Sequence, residues 1–258
     1  MSRPKTLQVS LPDLAQMIDH SLLHPTMTDD EVLAGLQICK KYNVKTACVK
    51  PYHLPFARKA LEDTPTILLC PVIGFPHGSS TLDVKHFEAR RAVEEGGKEI
   101  DMVVNIGRVK SGKWEFVRHE IETVNKLVVE MDAILKVIFE NDYLTDEEII
   151  KLCEICSSIP VAFIKTSTGY GFTKLPSGDY NYRGATTRHL ELMRKHTSEN
   201  VQIKAAGGVR TLDDLLRVRA LGVTRVGATA TEAILEEAIR RGIGEVKVDV
   251  EVPPFGDE

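Results

Sequence analysis

Residues 99–140 read EIDMVVNIGRVKSGKWEFVRHEIETVNKLVVEMDAILKVIFE. The stretch begins and ends on short apolar runs, 99–106 and 134–140, with an amphipathic helix pattern over 114–130 between them. Continuous apolar runs of this length fit parallel strands buried on both faces, so the segment reads as one strand–helix–strand unit. Outward from it the same alternation continues. Strands are predicted at 46–50, 67–75, 161–168, 201–206 and 224–228, with a weaker one at 17–20. Helices are predicted at 29–42, 82–95, 146–157, 185–196, 212–221 and 231–240.

Local signals punctuate these elements. Thr28 with Glu31, and Thr145 with Glu148, match the capping box, in which side chain and backbone satisfy each other's donors. Gly96 with Gly97, and Gly242, stand where helices end. Repeated strand–helix alternation without a break in composition predicts a single closed (β/α)₈ barrel over 1–258, with an N-terminal extension at 1–12 and a C-terminal tail at 246–258. A doubly wound open sheet is the competing fold. Its dinucleotide-binding form carries GxGxxG after an early strand, and this sequence has none. The turn-rich stretch 169–184, GYGFTKLPSGDYNYRG, follows the sixth strand, which in a barrel places it on the catalytic face as a candidate lid.

Bulk properties exclude several classes. Hydrophobic residues are 43% and charged residues 27% of 258, ordinary for a globular chain that needs neither disulfides nor metals to fold. A net charge of −4 gives no reason to expect nucleic acid or an anionic membrane as partner. Five cysteines without a paired framework read as reduced thiols of a cytoplasmic protein. Cys153 and Cys156 form a CxxC on a helix pattern, with no second pair or nearby His to complete a zinc set. The N-terminus lacks the apolar core of a signal peptide, and no apolar run is long enough for a membrane helix. The expectation is a soluble protein.

The fourth to seventh strands each carry a charge where a buried strand should be apolar: Asp101, Lys136, Lys165 and Lys204. Isolated charges are costly to bury, and side chains alternate across a strand, so all four can face one barrel lumen. Outward-facing, snorkelling lysines are the plain alternative for any one strand. Four consecutive strands favour the lumen. Three ammonium groups around one carboxylate leave excess positive charge. A lysine attacks a carbonyl only when neutral, and at an ordinary pKa only about one in 2,500 is neutral at pH 7. Neighbouring cations and low dielectric favour the neutral form, and a carboxylate can carry the protons. Periodicity does not say which lysine is the nucleophile.

Lys204 runs into AAGGVRTLDD, where Gly207 and Gly208 permit close approach of an anion and Thr211 can cap the next helix. Gly227, before a helix starting near Thr231, repeats the theme after the eighth strand. Barrels commonly hold phosphate at these two loops. Thr166, Ser167, Thr168 and Gly169 add hydroxyl and amide donors to the same rim, while Arg210 reads as a phosphate ligand or, slightly favoured, an ordinary surface charge.

At these residues the chain resembles the 2-deoxyribose-5-phosphate aldolases, class I Schiff-base enzymes built on a (β/α)₈ barrel. The resemblance runs through IDHSLLHP (18–25), EIDMVVNIG (99–107), LKVIFE (135–140), FIKTSTG (163–169), IKAAGGVRT (203–211) and VGATA (226–230). It implies that Lys165 forms the Schiff base, that Lys204 is the cation favouring its neutral form, and that Asp101 donates and accepts protons. It further implies that Lys136 organises the Asp101 relay, and that Gly169, Gly207, Gly208, Gly227 and Thr229 cradle phosphate. Asp19 and Cys48 fall where family members line the pocket. The implied reaction is reversible cleavage of 2-deoxy-D-ribose 5-phosphate to acetaldehyde and D-glyceraldehyde 3-phosphate, in deoxyribose breakdown, with no cofactor and no metal. Homo-oligomerisation is compatible with this reading. The sequence departs from the family pattern at Ser21, His24 and Tyr170, in the longer stretch after Gly169 and in a tail lacking a terminal tyrosine.

Three other readings share parts of this pattern. A different Schiff-base barrel, such as a transaldolase or fructose-bisphosphate aldolase, uses the same lysine with another donor. A non-catalytic sugar-phosphate-binding protein would keep the barrel without the adduct. A metal-dependent aldolase would need more than His20 and His24, four apart, and with His24 before Pro25 in a loop HSLLH reads as structural.

Overall fold

The computed structural model describes residues 6–254; residues 1–5 of the expected N-terminal extension and 255–258 of the expected tail lie outside the described residues. Twelve strands are described: β1 Thr6–Val9, β2 Ile18–Leu22, β3 Thr46–Val49, β4 Leu68–Ile73, β5 Glu99–Val103, β6 Ile134–Ile138, β7 Phe163–Lys165, β8 Thr173–Lys174, β9 Tyr180–Asn181, β10 Gln202–Ala206, β11 Arg225–Ala228 and β12 Val248–Glu251. Ten α-helices accompany them: α1 Leu11–Ala15, α2 Asp29–Tyr42, α3 Leu54–Ala60, α4 Leu82–Glu94, α5 Ile106–Lys110, α6 Trp114–Glu130, α7 Asp146–Ser158, α8 Thr187–His196, α9 Leu212–Ala220 and α10 Thr231–Arg240.

Eight parallel strands, β2 to β7 with β10 and β11, close into a barrel in chain order, β11 pairing back onto β2. The fold is the (β/α)₈ barrel read from the sequence. Alternation explains how it is filled. In β6, Leu135 and Val137 pack outward into the hydrophobic core against the helices, which leaves Lys136 pointing into the lumen. The same holds for Ile100 and Met102 around Asp101 in β5, and for Ile203 and Ala205 around Lys204 in β10. Register then aligns the charges: Asp101 lies beside Lys136, and Lys204 lies between Lys165 and Arg225.

The predicted capping boxes form as read: Thr28 and Thr145 accept the amides of Glu31 and Glu148, and both glutamates reach back. Three helices were not anticipated. α3 hides in PYHLPFARKALEDTP because its prolines read as turns, although Pro55 sits in the first turn, where no amide is needed. α5 takes over the end of the predicted 99–106 strand once Asn105 accepts the amide of Arg108 as its N-cap. The ends of the chain were read as an extension and a tail. Their described parts pair instead as an antiparallel ribbon, with Val9 opposite Val248. The candidate lid holds a small hairpin, β8 with β9. Among the described residues no helix is long and apolar enough to cross a membrane.

Candidate active site

At the carboxyl ends of the barrel strands a cleft of about 780 Å³ opens, with Lys165 on its wall. Thr168, Gly169, Gly207, Gly208, Gly227 and Thr229 border the same space. Asp101, Lys136, Lys204 and Asp19 lie beneath it, all fully buried. The four strand charges predicted to share one lumen therefore do so.

Their contacts are dense. Asp101 Oδ2 accepts from Lys165 Nζ at 2.7 Å and from Lys204 Nζ at 2.8 Å. Its other oxygen, Oδ1, lies 3.1 Å from Lys136 Nζ and accepts from the Cys70 thiol at 3.1 Å. Lys136 also meets Asp19 at 2.9 Å and Glu99 at 2.8 Å. Lys204 forms a second ion pair with Asp19. Arg225 completes the layer, 2.7 Å from Asp19 and 2.6 Å from Glu99. Its guanidinium and Lys136 both stand near the Phe163 ring.

The expected balance of one carboxylate to three ammonium groups is thus incomplete. Asp19, Glu99 and Asp101 face Lys136, Lys165, Lys204 and Arg225, which leaves an excess of one positive charge when all are ionised. Glu99 and Arg225 were missed. Glu99 stands two residues before Asp101, on the same face by alternation, and Arg225 opens the strand predicted at 224–228.

Electrostatics keeps this layer charged. Burial alone would raise Asp101, but Lys136, Lys165 and Lys204 hold it well below the usual carboxylate range. Asp19 is lowered likewise, with Lys136, Lys204 and Arg225 overcoming burial. Burial favours neutral Lys204 and Lys136, yet Asp101 and Asp19 hold both above the ordinary lysine range. Lys204 is therefore a persistent cation bonded to the same oxygen as the cleft lysine.

The rim is more varied than expected. Gly207 and Gly208 take φ of 79° and 94°, conformations that favour glycine, and turn their backbone along the cleft. α10 starts beside Thr229 with no side-chain cap on its first-turn amides, a suitable place for an anion. The donors of Thr166 and Thr168 are engaged elsewhere: Thr166 Oγ1 bonds the backbone of Ala206, and Thr168 bonds Glu140. Ser167 Oγ is buried with no hydrogen-bond partner among the described residues. Cys48 packs with Leu23, Cys70 and Val72, against Phe75 and Tyr170. Arg210, read as a surface charge, borders the cleft with Tyr182, whose hydroxyl lies 3.5 Å from its guanidinium.

Metal-ligand chemistry has limited support. Cys48, Cys70 and Asp101 bring ligand atoms within 4.8 Å of one another. The ammonium groups already on Asp101 oppose a dication there. Cys153 and Cys156 are buried on α7, and burial pushes the Cys153 thiol up to about 12, away from the thiolate a metal needs. His20, on β2, pairs with Thr231 at the start of α10 at 2.8 Å, and His24 with Thr26 at 2.8 Å, so the two rings serve separate partners.

Comparison with known proteins agrees with this geometry. Residues 14–229 match the model of the DeoC/LacD family aldolases. A deoxyribose-phosphate aldolase of Rhodopirellula baltica is 45% identical over 92% of this chain and 94% of its own length. One from Caldanaerobacter subterraneus is 41% identical over 91% and 97%. Among solved structures, the tetrameric deoxyribose phosphate aldolase of Aeropyrum pernix superposes with a TM-score of 0.79 at 27% identity, covering 90% of this chain and 92% of that one. A closed barrel with a lysine-lined lumen, matched by family and relatives over most of its length, makes this chain a member of the DeoC/LacD family of aldolases.

Proposed function

We propose that the chain cleaves 2-deoxy-D-ribose 5-phosphate reversibly to acetaldehyde and D-glyceraldehyde 3-phosphate through a Schiff base on Lys165. One observation carries the choice of nucleophile. Of the three barrel lysines, Lys165 borders the cleft, while Lys136 and Lys204 are enclosed by carboxylates beneath it. The named relatives, deoxyribose-phosphate aldolases over most of their length, support the substrate.

Neutral Lys165 adds to the sugar aldehyde, and loss of water from the carbinolamine gives a protonated imine. The imine takes up the electron pair as the C2–C3 bond breaks and the C3 hydroxyl gives up its proton. Glyceraldehyde 3-phosphate departs, and the remaining enamine is protonated at carbon and hydrolysed to acetaldehyde. No step calls for a metal, because the protonated imine is the electron sink. Asp101 touches Lys165 and is the nearest group to move these protons. With three cations around it the carboxylate is a weak base. Discharging Lys165 removes one of them and strengthens it. The glycine loops at 207–208 and 227 and the start of α10 receive the phosphate.

The metabolic role that goes with this activity is breakdown of deoxyribose from deoxynucleosides. Self-association belongs to the same reading, in line with the tetrameric deoxyribose phosphate aldolase of Aeropyrum pernix that shares the fold. The test is direct: purified protein given deoxyribose 5-phosphate releases acetaldehyde and glyceraldehyde 3-phosphate in equal amounts. Absence of both products from folded protein, with sugar phosphate still bound, overturns the reading in favour of a binding protein.

A further inference from the structure

Thr168 stands three residues after the cleft lysine, and both of its donors turn to Glu140. Its amide lies 3.1 and 3.3 Å from the two carboxylate oxygens, and its hydroxyl donates to Oε2. That hydroxyl oxygen in turn accepts the amide of Tyr170 at 2.9 Å. Glu140 is buried and adopts φ 60°, ψ 64°, a left-handed conformation that costs a residue bearing a side chain. Gly171 closes over the carboxyl group, where a Cβ would come within 2.5 Å of Glu140 Cδ. The next residues hold the rest of the 169–184 segment. Asp142 accepts the amides of Arg183 at 2.8 Å and Gly184 at 2.9 Å, and Tyr143 OH donates to the carbonyl of Phe172 at 3.2 Å. Gly184 then lies against Gly207, whose carbonyl accepts the amide of Ala185 at 2.9 Å.

We propose that Glu140 is the positioning residue of the phosphate end: through Thr168 it sets the Gly169–Tyr170 rim, while Asp142 and Tyr143 hold the two ends of the hairpin segment. This rests on reading the cleft as a sugar-phosphate site. Glu140 acts through the rim, and its carboxyl does not border the cleft.

The arrangement has a charge preference. Both carboxylate oxygens face donors: a proton on Oε1 sets donor against donor, one on Oε2 makes the Thr168 hydroxyl give up donating, and the ionised form keeps every bond of the clamp. Burial opposes that form and pushes Glu140 up to about 7, against the Thr168 hydrogen bonds and the charge of Lys165 and with that of Asp142. Tyr143 shares this field. The clamp therefore loosens as pH falls through about 7.

The experiment uses the full chain as wild type, Glu140→Ala, Glu140→Gln and Thr168→Val. Hydrogen exchange over 168–172 reads the clamp itself. Steady-state kinetics with deoxyribose 5-phosphate, from about pH 6 to about pH 9, read its consequence. Glu140→Ala speeds exchange at Thr168 and Tyr170 and raises KM about tenfold or more, with kcat within about twofold. Glu140→Gln, which like the protonated acid puts a donor where the clamp needs an acceptor, holds KM at the raised value of the wild type at low pH and removes its pH dependence. Thr168→Val repeats the KM rise without touching Glu140, so a Glu140 variant that does not fold leaves the proposal testable. Unchanged exchange, unchanged KM, or parallel loss of kcat and thermal stability overturns it. If the wild type does not turn over deoxyribose 5-phosphate, the substrate reading fails and the exchange measurement still decides the clamp.

Discussion

Lys85 and Glu120 meet at 2.9 Å between α4 and α6, both fully buried, much as Lys165 and Asp101 meet at 2.7 Å in the barrel. In the helix-layer pair burial prevails: it pushes Lys85 down and Glu120 up, each toward neutrality, and the partner's charge, joined at Lys85 by that of Glu88, recovers only part. In the barrel several opposite charges prevail over burial, and Asp101, Lys136 and Lys204 are all held ionised. The pair is also closed, with Lys85 donating to the Val103 carbonyl at 2.8 Å and Glu120 accepting the Asn105 amide at 3.0 Å. The barrel cluster opens on a cleft at Lys165. A buried lysine–carboxylate contact is thus structural in one place and chemical in the other. What separates them is shared carboxylates and access to a cavity.

The largest expected effect breaks the comparison at its open end. Lys165→Ala lowers aldolase activity by about 10³-fold or more and leaves the far-ultraviolet circular dichroism unchanged. Lys85→Met does the reverse. It strands Glu120 and costs about 3–5 kcal/mol in urea unfolding, with part recovered by adding Glu120→Leu, while Lys165 keeps its adduct chemistry.

Glu140 extends the comparison to a lone buried carboxyl. Its folded value of about 7 lies above the ordinary 4.5, so the folded state binds the proton more tightly. Its contribution to stability is full below about pH 4.5 and is lost as pH rises through about 7, on the order of 3 kcal/mol. Glu140→Gln removes that difference between unfolding curves at acid and neutral pH, and an unaltered difference contradicts the assignment. The smallest effect sharpens the cluster itself. Lys204→Met removes the persistent cation beside Lys165, lowers the rate by about a hundredfold and moves the acid limb of the pH–rate profile upward. An unmoved limb contradicts its role.

The sequence was readable where burial and period agree. EIDMV, ILKVI and QIKAA each place one charge between outward-facing apolar neighbours, so their lumen orientation follows from alternation. Capped helices such as α2 and α7 were legible through Thr28 and Thr145. What escaped depends on partners far along the chain. Glu99 and Arg225 are 126 residues apart and become a pair only through barrel closure. Glu140 closes the predicted strand 134–140, two residues beyond the end of β6, and nothing local marks its partner until the loop after β7 brings Thr168 over it. Thr166 and Thr168 look like free rim donors, and only the fold shows them bonded to Ala206 and Glu140.

The central claim is that Lys165 carries the covalent chemistry while the enclosed lysines carry charge. Reduction with borohydride in the presence of acetaldehyde, followed by peptide mass mapping, tests it most directly. The account predicts one added ethyl group, on Lys165. An ethyl group on Lys136 or Lys204, or none on folded wild-type protein, would contradict it.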